Sequence, residues 1–441
     1  MDSEWKQFTL SKLCHLITDG KHGDCENQED SGFYFLSVKD VFGNRLNYEQ
    51  ARQITEKDFL ETHKRTNLEP GDVLFTNTGT IGRMAIAPED SKTYRTTFQK
   101  SVAILKPNRD FITPRFFYYL LSYDNARLSN FAGGTTQKNL LLKDFRNFPV
   151  RIPSLPIQQA IAHILGTLDD KIELNQQMNQ TLEAIARALF KSWFIDFDPV
   201  RAKLDGRQPI GMDAETAALF PAEFEDSAIG KIPKGWTYQA ADTIADVGIG
   251  KTPPRKEHKW FSMNPKDIRW ASIRDMGESG TFISKTKEYL ISDSLSQFNI
   301  RTVPDNTVIL SFKLTIGRVA LTDGEIATNE AIAHFSLPST TSFSSVYLYL
   351  YLEAFDYNRL GNTSSIAQAV NSKIIKAMPI LNPGTKMLES FTRQVLNIFE
   401  KIKQTQRESE ALSSIRDALL PKLLSGEIRV QDAEKLVEAV T

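Results

Sequence analysis

Thr80-Ile81-Gly82-Arg83 returns letter for letter as Thr315-Ile316-Gly317-Arg318, 235 positions further on. Outward from this tetrapeptide, nearly the same shift relates other landmarks. Trp5-Lys6-Gln7-Phe8 is echoed by Trp236-Thr237-Tyr238-Gln239 at 231, and Lys171-Ile172 returns as Lys401-Ile402 at 230. Pro149 and Pro153 return as Pro379 and Pro383, also at 230. Loop insertions inside one duplicated unit leave a drift of this size. A repeat spanning half of 441 residues means two large domains, not a short-period solenoid. Diverged copies suit a molecule that performs one task twice on two different targets.

Hydrophobic residues make up 41% of the chain and charged residues 24%, an ordinary composition with enough apolar material for real cores. No apolar run reaches the roughly 18–20 residues that cross a bilayer. The opening Met1-Asp2-Ser3-Glu4-Trp5-Lys6 lacks a signal-peptide pattern. Cys14 and Cys25 are the only cysteines and lack a CxxC spacing, so they read as reduced thiols of a cytoplasmic protein. The net charge of −1 withholds the simplest signal of a nucleic-acid partner. The stretch from Asp196 to Asp226 is rich in Asp and Glu, with Arg201, Lys203 and Arg207 as its only basic residues; without it the repeated parts are mildly basic.

Each copy has a globular part followed by a long helix. Asp72-Val73-Leu74-Phe75, Ser101–Leu105, Thr307–Ser311 and Ala331–Phe335 read as strands; Pro114–Leu128 and Ser344–Leu360 are aromatic-rich with helical period. The expected fold is α+β. It has two tandem globular domains (1–153 and 230–383) separated by two long antiparallel coiled-coil helices (154–195 and 384–425), with internal pseudo-two-fold symmetry. An acidic, proline-containing connector (196–229), ordered and pinned to the surface, joins the copies, and 426–441 is a C-terminal tail.

The helices carry a heptad seam in steps of four and three. The first copy offers Ile161, Leu165, Leu168, Ile172, Asn175, Asn179, Leu182, Ala186, Leu189 and Trp193. The second offers Phe391, Val395, Ile398, Ile402, Thr405, Ser409, Leu412, Arg416, Leu419 and Leu423. Polar residues fall at the same central steps of both, as in a register-fixing layer. Antiparallel pairing sets Asn179 against Thr405, Asn175 against Ser409, Trp193 against Phe391 and Ile161 against Leu423. Phe190 and Phe194 are candidates for a docking surface away from the seam.

Catalytic patterns are missing. Ala245–Thr252 is the nearest approach to a phosphate-binding loop, but Ala245 replaces the first glycine, and Pro253-Pro254 obstructs the helix that must follow. Gly248-Ile249-Gly250 lacks the rest of a dinucleotide fingerprint. The six histidines show no ligand spacing and read as surface or loop residues, and Asp169-Asp170 reads as the solvated flank of a helix.

The chain resembles the specificity (S) subunits of type I restriction–modification systems. Gly79–Arg83, Gly133-Gly134-Thr135-Thr136-Gln137-Lys138 and Pro149–Gln159 carry the likeness, with Lys191–Val200 and Gly230–Trp236. The resemblance implies a non-catalytic subunit whose two recognition domains read the halves of a split double-stranded DNA target, with the paired helices as a ruler. It also implies docking of two methylation subunits and two restriction/translocase subunits. S-adenosylmethionine, ATP and Mg2+ are expected in those partners, no cofactor or metal in this chain, and no membrane. The second copy departs from the first at Lys313-Leu314-Thr315, and at Thr363–Gln368 in place of the Gly-Gly-Thr-Thr-Gln-Lys loop. The specificity subunit of a type II-like system, a stand-alone DNA-modifying enzyme and a non-DNA scaffold stay open as alternatives.

DNA contact needs donors for phosphates and side chains that reach base edges. Loop residues beside expected strand ends qualify: Lys21, His22, Lys39, Arg83, Lys100, Gln137 and Lys138 in the first domain. In the second they are Lys251, Arg255, Lys256, Arg274, Lys313, Arg318 and Gln368. The competing reading of each lysine or arginine is a solvated charge. For Arg83 and Arg318 it is a structural role in a tight glycine turn.

Overall fold

The computed structural model describes residues 5–133, 138–360 and 370–438, which form two compact units. The first comprises Met1–Ile172 and Ala411–Thr441, the second Glu173–Glu410. The division cuts both long helices, Leu155–Phe194 and Thr385–Ser425, near their middles. Each unit therefore holds one α+β domain and half of each long helix.

In the first unit a four-stranded antiparallel sheet runs in the order Cys14–Asp19, Val102–Pro107, Val73–Thr76, Met84–Ile86. Its central strands are apolar without alternation because both faces are covered. Beside it lies a sheet of Arg52–Gln53, Tyr34–Leu36 and Thr96–Phe98, the last two parallel. Lys6–Thr9 pairs with Pro149–Ile152 and ties the domain's beginning to its end. The second unit repeats the order with Asp246–Ile249, Ile332–Ser336, Val308–Ser311 and Val319–Thr322, adding Phe282–Ile283 at the edge. Its mixed sheet contains Ile268–Ala271 parallel to Ile326–Thr328, and Thr237–Ala240 pairs with Pro379–Asn382. The expected helix Pro114–Leu128 is two: Pro114–Tyr123 and Asn125–Asn130, broken at Asp124. Ser344–Leu360 is likewise a helix, Ser345–Ala354, followed by a tight turn at Tyr357–Leu360.

The helices pair antiparallel within each unit. In the first, Ile161, Leu165, Leu168 and Ile172 share one core with Leu412, Leu419 and Leu423. At the Arg416 position, the guanidinium donates to Asp169 at 2.6 Å, and the Tyr119 hydroxyl donates to the same carboxylate at 2.5 Å. Asp170 accepts from Arg115. Asp169, partly buried, ties the helix to the domain and to its partner helix, while Asp170 stays exposed on the solvated flank.

In the second unit Leu182, Ala186, Leu189 and Trp193 pack with Phe391, Val395, Ile398 and Ile402. Thr405 donates its hydroxyl to Asn179, and fourteen residues along, Trp193 meets Phe391 with ring centroids 5.6 Å apart. One expected pair is different. Asn175 donates to Glu408 at 3.0 Å, while Ser409 turns its short hydroxyl back to the Thr405 carbonyl on its own helix. Phe190 and Phe194 are buried against Tyr347 and Phe391 and offer no docking surface.

The connector is more than surface-pinned. It holds helices Asp198–Leu204 and Ala214–Ala218 and the first strand of the hairpin Phe224–Ser227/Gly230–Pro233. It also inserts Phe197, Val200 and Phe220 into the core of the second unit, Phe220 edge-on to Trp193 at 5.1 Å. The C-terminal tail likewise contains a helix, Val430–Glu438, with Ala433 and Val437 buried in the first core. Phe220→Ala should cost the second unit about 3–5 kcal/mol. Ile210→Ser, at a position 90% exposed in the same connector, should cost under about 0.5 kcal/mol. Urea denaturation of the two variants checks both.

Candidate nucleic-acid interface

Gly20 ends the first edge strand where the chain passes against another backbone: a Cβ there would lie 1.9 Å from the Phe98 carbonyl oxygen. Only glycine fits. The contact seats Lys21, whose amide donates to Phe98 at 2.7 Å and whose carbonyl accepts from Lys100 at 3.1 Å. Gln99 in turn donates to Leu36 at 2.9 Å, so three strand ends close into one rim. The second unit repeats the device. A Cβ on Gly250 would lie 2.2 Å from the Asn329 carbonyl oxygen; Lys251 donates to Thr328 at 2.9 Å and Asn329 to Ala271 at 3.0 Å.

Next to these ends each copy places a capped turn. The Ser37 amide and hydroxyl donate to Asp40, as those of Ser272 do to Asp275. The repeated Thr-Ile-Gly-Arg turn folds over it. Thr76 accepts from the Arg83 amide at 2.9 Å and donates to the Thr80 carbonyl at 2.6 Å; Ser311 does the same for Arg318 and Thr315 at 3.0 and 2.6 Å. Gly82 and Gly317 take positive φ of 93° and 91°. The arginines then brace the capped turns, Arg83 donating to the Val38 carbonyl at 3.1 Å and Arg318 to that of Ile273 at 2.7 Å. Their role in the fold is structural. The serine–aspartate caps escaped the sequence reading, although Ser-x-x-Asp recurs at the same 235-residue shift as the turn.

Five first-domain candidates, Lys21, Lys39, Arg83, Lys100 and Lys138, thus converge on one rim; Lys138 joins through its carbonyl, which accepts from Gly79 at 3.3 Å. His22 stands beside Lys21, exposed and 3.1 Å from Asp19. In the second domain Lys251, Arg274 and Arg318 occupy the positions of Lys21, Lys39 and Arg83, while Lys313 stands where the first domain has Thr78. Gln137 and Gln368 lie outside the described residues.

Several cations are already engaged. Lys21 is held by Asp58 at 3.0 Å and Glu61 at 3.2 Å, and the Asp58 hydrogen bond raises its pKa. Arg255 pairs with Glu288 at 2.8 Å and lies over the Phe261 and Trp270 rings. Arg274 pairs with Glu278 on its own helix. Lys251 reaches the Phe298 carbonyl at 3.4 Å, and Lys313 lies over the Phe312 ring. Among the described residues, Lys39, Lys100, Lys138 and Lys256 are exposed and make no ion pair. The same residues contain no cluster of side chains able to hold a metal.

Residues 2–184 match the family described as type I restriction modification DNA specificity domain. The HindI specificity subunit of Haemophilus influenzae is 27% identical, covering 97% of this chain and 100% of its own. The MjaIX specificity subunit of Methanocaldococcus jannaschii is also 27% identical, over 86% of this chain and 83% of its own. The chain is thus similar, over most of its length, to the specificity subunits of type I restriction enzymes. Its fold matches the S subunit of a type I system from M. genitalium with a TM-score of 0.54 at 15% identity, covering 95% of this chain and 96% of that one. No helix among the described residues is long and apolar enough to cross a membrane.

One histidine departs from the expected surface setting. His334 lies in a central strand, opposite Gly248, where a Cβ would strike its ring. Burial pushes its imidazole down to about 4, and its Nε2 has no partner. A folded-state value below the usual 6.5 means full stability above that pH and loss as pH falls from about 6.5 towards 4. His334→Leu should remove roughly 3 kcal/mol of acid-linked destabilisation of the second unit. Thermal melts of both proteins across that window check it.

Proposed function

We propose that the chain reads duplex DNA in two parts, one with each recognition domain, for a complex whose other subunits carry out the chemistry. The observation that supports this is the repeated rim, where the two recognition domains present the same strand-end glycine, capped turn and arginine brace beneath a fringe of lysines. Exposed lysines suit phosphates, which fix position; loops whose sequences diverge between the copies suit base edges, which fix sequence. Lys39, Lys100 and Lys138 are the phosphate donors of the first domain, and Lys251, Lys256, Arg274 and Lys313 those of the second. His22, Gln137 and Gln368 are the polar candidates for base contact. Two methylation subunits and two restriction/translocase subunits complete the complex and bring S-adenosylmethionine, ATP and Mg2+.

Two outcomes are expected. Exchanging residues 1–153 for those of another specificity subunit should change one part of the methylated motif and keep the other, read by sequencing modified bases in cells. If both parts stay unaltered, the reading fails. In the assembled methylation complex, Lys39→Glu with Lys100→Glu should weaken binding across all sequences. It should also flatten the dependence of log K on log salt by about two, as measured by titrations at several salt concentrations.

A further inference from the structure

The Thr-Ile-Gly-Arg turns are near-identical in hydrogen bonding, yet one position differs in kind. The first domain has Gly79 with φ 77°; the second has Leu314 with φ 63°. A branched leucine in the left-handed region is strained, and strain of this sort gathers at functional positions. Leu314 is also 85% exposed, so it gains no burial in return. A lone exposed leucine needs no explanation; one that is also held at positive φ does. The turn is tight, with the Thr315 amide donating to the Lys313 carbonyl at 2.7 Å, so the side chain stands at the tip. It is framed by exposed Lys313, while Arg318 ties the turn to the segment carrying exposed Arg274.

We propose that Leu314 is a specificity-determining residue of the second domain, packing on the C5-methyl group of a thymine in the major groove. This rests on the DNA reading above. Leucine can bond neither phosphate nor a base's polar edge, and the thymine methyl is the apolar group that base pairs display in that groove. Gly79 offers no side chain for such a contact, so the two domains differ here in what they can read.

Thymine-to-uracil substitution removes that methyl and nothing else. The assembled methylation complex is titrated with duplexes carrying uracil in place of each thymine of the second half-site in turn. For the wild type one replacement should weaken binding about fourfold, the worth of a buried methyl. Leu314→Gly should bind the uracil and thymine duplexes equally, and its methylated motif should loosen at that position alone. The glycine variant suits the backbone, so its melting temperature should hold or rise, separating recognition from misfolding. Tight wild-type binding that ignores every uracil, or a Leu314→Gly variant that still senses the methyl, overturns the assignment and leaves the DNA reading intact. A wild-type complex with no sequence preference overturns both.

Discussion

Each domain closes its core by packing on a pair of helix segments drawn from distant parts of the chain. In the first unit Phe116, Tyr119 and Leu120 share a core with Leu165 and Leu168 from one helix and Leu419 and Leu423 from the other. In the second, Tyr347, Leu350 and Tyr351 do so with Phe190 and Trp193, and with Phe391 and Val395. Burial of these aromatic and aliphatic side chains is the main force holding either domain in one shape. Polar groups within the seam add selectivity. Asn179 with Thr405, and Arg416 with Asp169, are satisfied in this register and would be stranded in one shifted by a residue.

Much of this was legible because duplication and periodicity are local properties of a sequence. The polar layer could be placed from heptad counting, and Asn179 with Thr405 followed from antiparallel register alone. Strands such as Val73–Thr76 stood out as continuous apolar runs. What escaped depended on residues brought together from afar. Lys21 and Arg255 looked like free donors, but Asp58 and Glu288, 37 and 33 residues away, had already claimed them. Phe220 sits in an acidic, proline-bearing stretch that reads as surface, and Trp193 decides its burial. His334 fits its strand because Gly248 leaves room opposite, a complementarity visible only once the strands are in register.

The rim illustrates how a chain of nearly neutral charge can still present local positive surface. Acids of the same domain neutralise Lys21 and Arg255, while Lys39, Lys100, Lys138 and Lys256 make no ion pair. The arrangement limits indiscriminate attraction to polyanions, since each cation paired with an acid is withheld from counterion release.

The first unit draws Leu412, Leu419, Leu423, Ala433 and Val437 from the segment made after all of the second unit. On the ribosome, the half translated earliest must therefore wait, its apolar face uncovered, until translation has passed its neighbour. The later half can consolidate beforehand. Birth order and order of completion are inverted in this chain, and a premature stop after residue 410 leaves the older half incomplete.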